Sequence, residues 1–230
     1  MTAASTPLSR PLRDIVYERL RDEIIAGTLA PRDRLKVGAL AKSSRISPTP
    51  VREALLRLER EGFLHGDHNK GFSVAELDPV EIRQTYPIIG GLESAALRDA
   101  GLPDPGTIVR LKEINRQLGL AGSAKARLAT DLEWHRTLIA AARNDRLAQV
   151  IALNKEVVRR YENRYMRDAS RVFGSVEAHS AILQALETGD VLAARGLLEK
   201  HWEDSMVEVL GWIESESERR PKRRHTRGRK

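Results

Sequence analysis

Apolar side chains return at helical spacing from the first residues that carry a pattern. Ile15, Val16, Leu20, Ile24 and Ile25 predict a helix from about Pro11 that Gly27 stops. Residues 34–61, RLKVGALAKSSRISPTPVREALLRLERE, closed by Gly62, predict two short helices joined by a tight connection. In the second of these, Val51, Ala54, Leu55 and Leu58 share one face, and Arg52, Glu53, Arg57 and Glu59 stay outside it. Ser47 stands at the N-cap position, and Pro48 at the first helical position has no N–H to leave unpaired. Phe63-Leu64 and Phe72-Ser73-Val74 predict two short strands around the polar stretch His65–Gly71. From Leu77 onward the pattern is helical only. Stripes run over 78–100, 105–120, 125–143, 146–166, 175–188 and 190 to about 214, and the breaks between them carry Gly, Pro, Asn, Asp or Ser. The fold class is therefore mainly α: three helices with a small β-wing, then an all-α antiparallel bundle of six or seven helices.

Two helices at a tight turn, preceded by a supporting helix and followed by a wing, form the layout of a winged helix-turn-helix DNA reader. Arg52, on the polar face of the second helix, is free to meet a phosphate or a base edge. Charge agrees with this reading. Residues 1–75 hold thirteen Lys and Arg against nine Asp and Glu, and residues 76–218 hold eighteen against twenty-three. The last twelve residues hold eight basic side chains and no acidic one. A basic N-terminal domain is the electrostatic footprint of phosphate binding, with Arg34, Lys36, Lys42, Arg45, Arg52 and Lys70 as its candidates. The basic tail lacks apolar residues and is expected to be disordered, adding either sequence-blind DNA affinity or solubility.

The organisation read from these patterns is a disordered segment 1–9, a DNA-binding domain 10–76, a helical domain 77–216 and a basic tail 217–230. The length of 230 residues suits one small and one medium domain, each able to bury a core. Cysteine is absent, which excludes disulfides and thiolate metal sites. The first residues have no signal-peptide core, and no apolar run approaches a bilayer span, so a cytoplasmic protein without a membrane partner is expected.

Three of the six histidines, His135, His179 and His201, fall on predicted bundle helices, and Asp131 stands one turn before His135 on the same face. If these four side chains converge, they form a nitrogen-and-oxygen ligand set suited to zinc, nickel, cobalt, manganese or iron(II), with one or two positions left open. Such a metal can activate water, but the companions of hydrolysis are missing: no His-Glu-x-x-His, Gly-x-Ser-x-Gly or P-loop glycine run occurs. Glu133 and Glu177 lie two residues from proposed ligands, a spacing that points them away from those ligands on a helix. A non-enzymatic protein is expected. The alternatives are a DNA binder whose metal only ties helices together and, further off, a metal-dependent hydrolase.

AGTLAPRDRLKVGALAKSSRISPTPVREALLRLEREGFL followed by GFSV resembles the winged helix of GntR-type transcriptional regulators over residues 10–76. DLEWHRTLIAAARND, EAHSAILQALETGD and ARGLLEKHW resemble the effector domain of their FadR subfamily, the FCD type, over about 78–215. The resemblance implies a divalent metal, with zinc, nickel or manganese foremost, held by Asp131, His135, His179 and His201. It also implies a homodimer that reads a near-palindromic double-stranded operator, and a small effector, an organic acid among the candidates, that gates a repressor or activator. Repression is the expected sign. The implied DNA-reading set is Arg34, Lys36, Arg45, Ser47, Thr49 and Arg52, with His68, Lys70 and Gly71 from the wing. The chain departs from the pattern in three places. Pro48 stands where many relatives carry a base-contacting arginine, Gly38 where Glu or Arg is frequent, and Ile89 where many metal-binding members carry an arginine that helps hold a carboxylate.

Overall fold

The structure, a computed structural model, describes residues 10–67, 71–166 and 172–219. His68, Lys70 and the basic tail from residue 220 lie outside the described residues. The chain divides into two compact units. The first runs through Leu77 and takes in Arg159–Arg164; the second holds Asp78–Val158 and continues from Tyr165.

The first unit is built from α1 (Leu12–Ala26), β1 (Arg34–Leu35), α2 (Val37–Ser44), α3 (Pro48–Arg60), β2 (Leu64–Asp67) and β3 (Gly71–Val74). Gly27 ends α1 in the left-handed region at φ 72°, where its N–H meets the carbonyl of Ile24, and only glycine adopts that conformation without strain. The expected stripe on α1 needs one correction. Ile15 is half exposed, and Tyr17 is buried, because the inward face runs through Val16, Tyr17, Leu20, Ile24 and Ile25. Val51, Ala54, Leu55 and Leu58 of α3 close against these residues and against Phe63, Phe72 and Val74 as one core. Fully burying each of the leucines contributes about 2 kcal/mol. Ser47 is the N-cap residue of α3, but its side chain makes no capping hydrogen bond; Pro48 at the first position leaves fewer donors to cap.

The wing has one strand more than the sequence suggests. The sheet order is β1-β3-β2, all antiparallel, with Arg34 opposite Ser73 and Leu64 opposite Val74. A two-residue strand is too short to show alternation, so β1 escapes a period-based reading. Gly71 opens β3 at φ 91°, and a Cβ there would lie 2.8 Å from the Leu35 carbonyl oxygen. Its glycine is therefore required by the close approach of β1.

Beyond Leu77 the described residues form six α-helices: α4 (Pro79–Ala100), α5 (Pro105–Leu120), α6 (Ala124–Ile139), α7 (Asp145–Tyr165), α8 (Val172–Glu187) and α9 (Val191–Arg219). Asp78, Asp104 and Ser123 cap α4, α5 and α6 by accepting from Val80, Thr107 and Ala126 backbone N–H groups. The expected stripe 125–143 breaks near its end, where α6 gives way to a 3₁₀ turn over Ala140–Ala142. α9 runs five residues past the expected end at 214. None of the helices among the described residues is long and apolar enough to cross a membrane. α4 and α9 pack closely enough that a Cβ on Gly90 would lie 3.1 Å from the Cβ of Trp202. Gly90 thus costs α4 about 1 kcal/mol of helix propensity and in exchange admits the Trp202 side chain.

Candidate metal centre and nucleic-acid interface

Every helix of the bundle supplies a residue to one buried cluster. Asp131, Trp134 and His135 come from α6, His179 from α8, His201 and Trp202 from α9, Glu93 from α4, Asn115 from α5 and Lys155 from α7. His135 and His179 are fully buried, and Asp131 and His201 nearly so. One ligating nitrogen from each of His135, His179 and His201 lies within 4.8 Å of the others. Asp131 stands beside two of them, with Oδ2 3.8 Å from His135 Nε2 and Oδ1 3.8 Å from His179 Nε2. That separation is longer than a hydrogen bond, and it is within the ~4.2 Å that at most separates two donors each ~2.1 Å from one ion.

Hydrogen bonds behind the rings fix their tautomers. His135 Nδ1–H donates to Glu93 Oε2 at 2.7 Å, since a carboxylate can only accept. His179 Nδ1–H donates to Asn115 Oδ1 at 3.1 Å, and the orientation of that amide is set by Asn115 Nδ2, which donates to Val176 O and to Ser180 Oγ, both at 3.0 Å. Both Nε2 atoms are thereby left as lone-pair acceptors. His135 Nε2, His179 Nε2 and Asp131 Oδ1 are all buried and without a hydrogen-bond partner. Three acceptors facing one another with no donor among them cost roughly 1–3 kcal/mol each if left so, and a cation is the species that satisfies all three. The donor set therefore fits a divalent metal. Trp134 lies flat on His179, centroids 3.7 Å apart and planes 3° from parallel, which holds that ring in place.

Burial keeps His179 and His201 neutral, as ligation requires. His201 is pushed down to about 3 by burial and by the neighbouring His135, and His179 is pushed well below its usual value by burial and by His201. Asp131 is raised by burial. For Glu93, burial opposes ionisation, but His135 and Lys155 beside it prevail and hold it well below the usual carboxylate range.

A pH dependence follows for the metal-free protein. Below about pH 6.5 an unfolded histidine takes up a proton that folded His179 and His201 refuse. Their contribution is therefore complete above about 6.5 and declines as pH falls below it, for His201 down to about 3, by at most about 1.4 kcal/mol per pH unit and ring. Asp131, whose folded value is raised, works in the opposite sense as one group against two. Thermal melts of chelated protein are expected to fall steadily from pH 6.5 to 5; a flat profile would show rings that are not buried and neutral.

Of the four ligand candidates of the sequence, His135, His179 and His201 lie together and Asp131 stands beside the first two, and the residues that orient the rings are ones it left out. Glu93, Asn115 and Lys155 each interrupt an apolar stripe: Glu93 between Ile89 and Leu97, Asn115 between Leu111 and Leu118, Lys155 between Ile151 and Val158. A polar residue at a core-facing register position was the available signal. Glu133 and Glu177 are exposed, and Glu133 pairs with Arg110 at 3.2 Å.

In the first unit, Arg34, Lys36, Arg45, Ser47, Thr49 and Arg52 are all exposed. Arg45 ends α2 in the left-handed region at φ 54°, with its N–H on the carbonyls of Ala41 and Lys42. Ser47 and Thr49 sit at the start of α3 and Arg52 follows one turn on; Pro48 and Pro50 offer no N–H there, so side chains carry the donors. Arg57, also exposed, is by contrast engaged within the domain, 3.8 Å over the Tyr17 ring and paired with Glu61 at 3.0 Å. Tyr17 donates to Glu61 at 2.5 Å, and burial with that bond pushes its hydroxyl up to about 12.

Comparison with known proteins agrees with both halves. Residues 12–74 match the family described as bacterial regulatory proteins, gntR family, and residues 84–204 match the FCD domain. The Nta operon transcriptional regulator of Aminobacter aminovorans is 29% identical over 185 residues, 78% of this chain and 87% of that protein. The HTH-type transcriptional regulator YdhC of Bacillus subtilis (strain 168) is 37% identical over 81 residues, 35% of this chain and 36% of that protein. Among solved structures, E. coli McbR/YncC shares the fold with a TM-score of 0.72 at 22% identity, covering 89% of this chain and 100% of that one. The chain belongs to the GntR family of bacterial regulators with an FCD domain, and it is a DNA-binding transcriptional regulator, not an enzyme.

Proposed function

We propose that this regulator holds one divalent metal, zinc, nickel or manganese, through Asp131, His135, His179 and His201, and that a small ligand changes its affinity for an operator. The observation that carries the reading is the convergence of buried lone-pair acceptors with no donor to meet them. When bound, the metal supplies a Lewis-acidic position for an oxygen of the ligand, and an organic acid suits it. Glu93 and Asn115 hold the His135 and His179 rings in the tautomer that ligates. Trp134 and Trp202 wall the site, which limits water.

On the DNA side, Arg34, Lys36, Arg45, Ser47, Thr49 and Arg52 form the reading surface, with His68, Lys70 and Gly71 in the wing. Two copies pair so that their α3 helices enter successive major grooves of a near-palindromic site. Val150 and Leu153, exposed one turn apart on α7, support a second copy as their cover. The expected sign is repression and the expected compartment the cytoplasm.

A ligand regulates only if it binds the DNA-competent and DNA-incompetent arrangements with different affinity. A coupling of roughly 1–3 kcal/mol changes operator affinity about 5- to 150-fold. The test uses DNA selected from a random pool and measures affinity by anisotropy with the metal-loaded chain, the chelated chain, and added mono- and dicarboxylic acids. A shift of that size with an acid supports the regulated reading. Tight DNA binding that ignores every acid and the metal alike would leave the alternative favoured by the burial of the rings, a metal that only ties helices together.

A further inference from the structure

Lys155 is buried to 6% exposure in the middle of the bundle. Its Nζ lies 2.7 Å from Glu93 Oε1, and it stands 4.9 Å from the centre of the Trp202 ring. Glu93 Oε2, the other oxygen of the same carboxylate, accepts from His135 Nδ1 at 2.7 Å and from Trp202 Nε1 at 2.8 Å. One fully buried carboxylate thus joins an ammonium group to a ligand candidate, in the order Lys155, Glu93, His135, metal position.

A carboxylate behind a ligating histidine raises the basicity of the ring and tightens the metal. A lysine on the far oxygen of that carboxylate works against the same effect, because its charge is already balancing the carboxylate and repels an arriving cation across a low-dielectric interior. Counting formal charges, Glu93 and Lys155 cancel in the metal-free site. A divalent ion with Asp131 and this pair leaves one excess positive charge, whereas the same ion without the lysine leaves none. Nothing else about the four ligands requires an ammonium group at this depth, and burying one costs several kcal/mol unless it is paired.

We propose that Lys155 is a positioning residue that lowers metal affinity: it neutralises Glu93 when the site lacks metal, so the bundle stays packed without it and the ion remains exchangeable. Metal occupancy then follows supply, and the site reads the metal as a signal beside any small ligand. This inference rests on the metal reading proposed above.

The test measures zinc affinity of the full-length chain by chelator competition, with the melting temperature of the metal-free form as a second readout. Lys155→Met is expected to bind zinc about 10- to 100-fold more tightly than the unsubstituted chain. Its metal-free form is expected to melt lower, because Glu93 is left as an unpaired buried carboxylate. Glu93→Gln is expected to bind zinc more weakly, and adding Lys155→Met to it should tighten binding again. That second pair supplies the comparison should the single lysine variant fail to fold. Equal or weaker zinc binding on removing the lysine, in whichever background folds, overturns the proposal. Absence of zinc binding by the unsubstituted chain would instead overturn the metal reading on which it stands.

Discussion

Replacing His179 by Ala is expected to abolish the metal-dependent part of the stability together with the metal content. His179 is fully buried, its Nδ1–H is anchored on Asn115, and its Nε2 has no hydrogen-bond partner. The ring therefore has one face of chemistry left, and that face looks at Asp131 and the other imidazoles. A metal at a free concentration 100 times its dissociation constant adds about 2.7 kcal/mol to folded stability. For a chain of this size that is a melting shift of roughly 5–10 °C, reversed by a chelator. The variant also loses the stacking partner of Trp134, so its melt falls whether or not metal is involved. The diagnostic quantity is consequently the chelator-induced shift, large in the unsubstituted protein and absent in the variant. A variant that keeps both its metal and its chelator response would show that the ligands lie elsewhere.

Arg52→Ala is expected to weaken operator binding about 5- to 150-fold, equivalent to roughly 1–3 kcal/mol for one base-reading arginine, and to leave the melt unchanged within about 0.5 kcal/mol. The two halves of this expectation come from the same geometry. Arg52 is exposed beside buried Val51 and Ala54 on α3, so its loss removes no core contact. Alanine is also the better helix former. Affinity for the selected operator and for a scrambled duplex separates the roles: a larger loss on the operator marks a base reader, and an equal loss with a shallower salt dependence marks a phosphate contact. Unchanged affinity on both would remove Arg52 from the reading surface.

The helices of both halves are legible because their apolar periodicity is strong and their ends carry chemical marks, such as Asp104-Pro105 at the start of α5 and Gly27 after α1. Ile15 was misplaced because a run of neighbouring apolar residues, Ile15-Val16-Tyr17, leaves the phase of a stripe open by one position, and packing against α3 decides it. β1 was invisible because two residues carry no period, and its position is set by pairing with β3. The four ligand candidates could be named from residue type and helix spacing, with a family pattern to link the three segments. Glu93, Asn115 and Lys155 could not be joined to them, since their partners lie 42 to 64 residues away in the chain or on another helix. Polarity inside an apolar stripe shows that a residue has a buried partner, and only the packing of the helices shows which: α4 against α6, α5 against α8, and Lys155 of α7 against Glu93 of α4.

Elemental analysis of untagged protein purified without chelator tests whether buried Asp131, His135, His179 and His201 hold a divalent metal. About one metal per chain, removed by chelation together with a clear fall in melting temperature, is the result predicted. A folded protein that takes up no divalent metal and melts identically with and without chelator would contradict it.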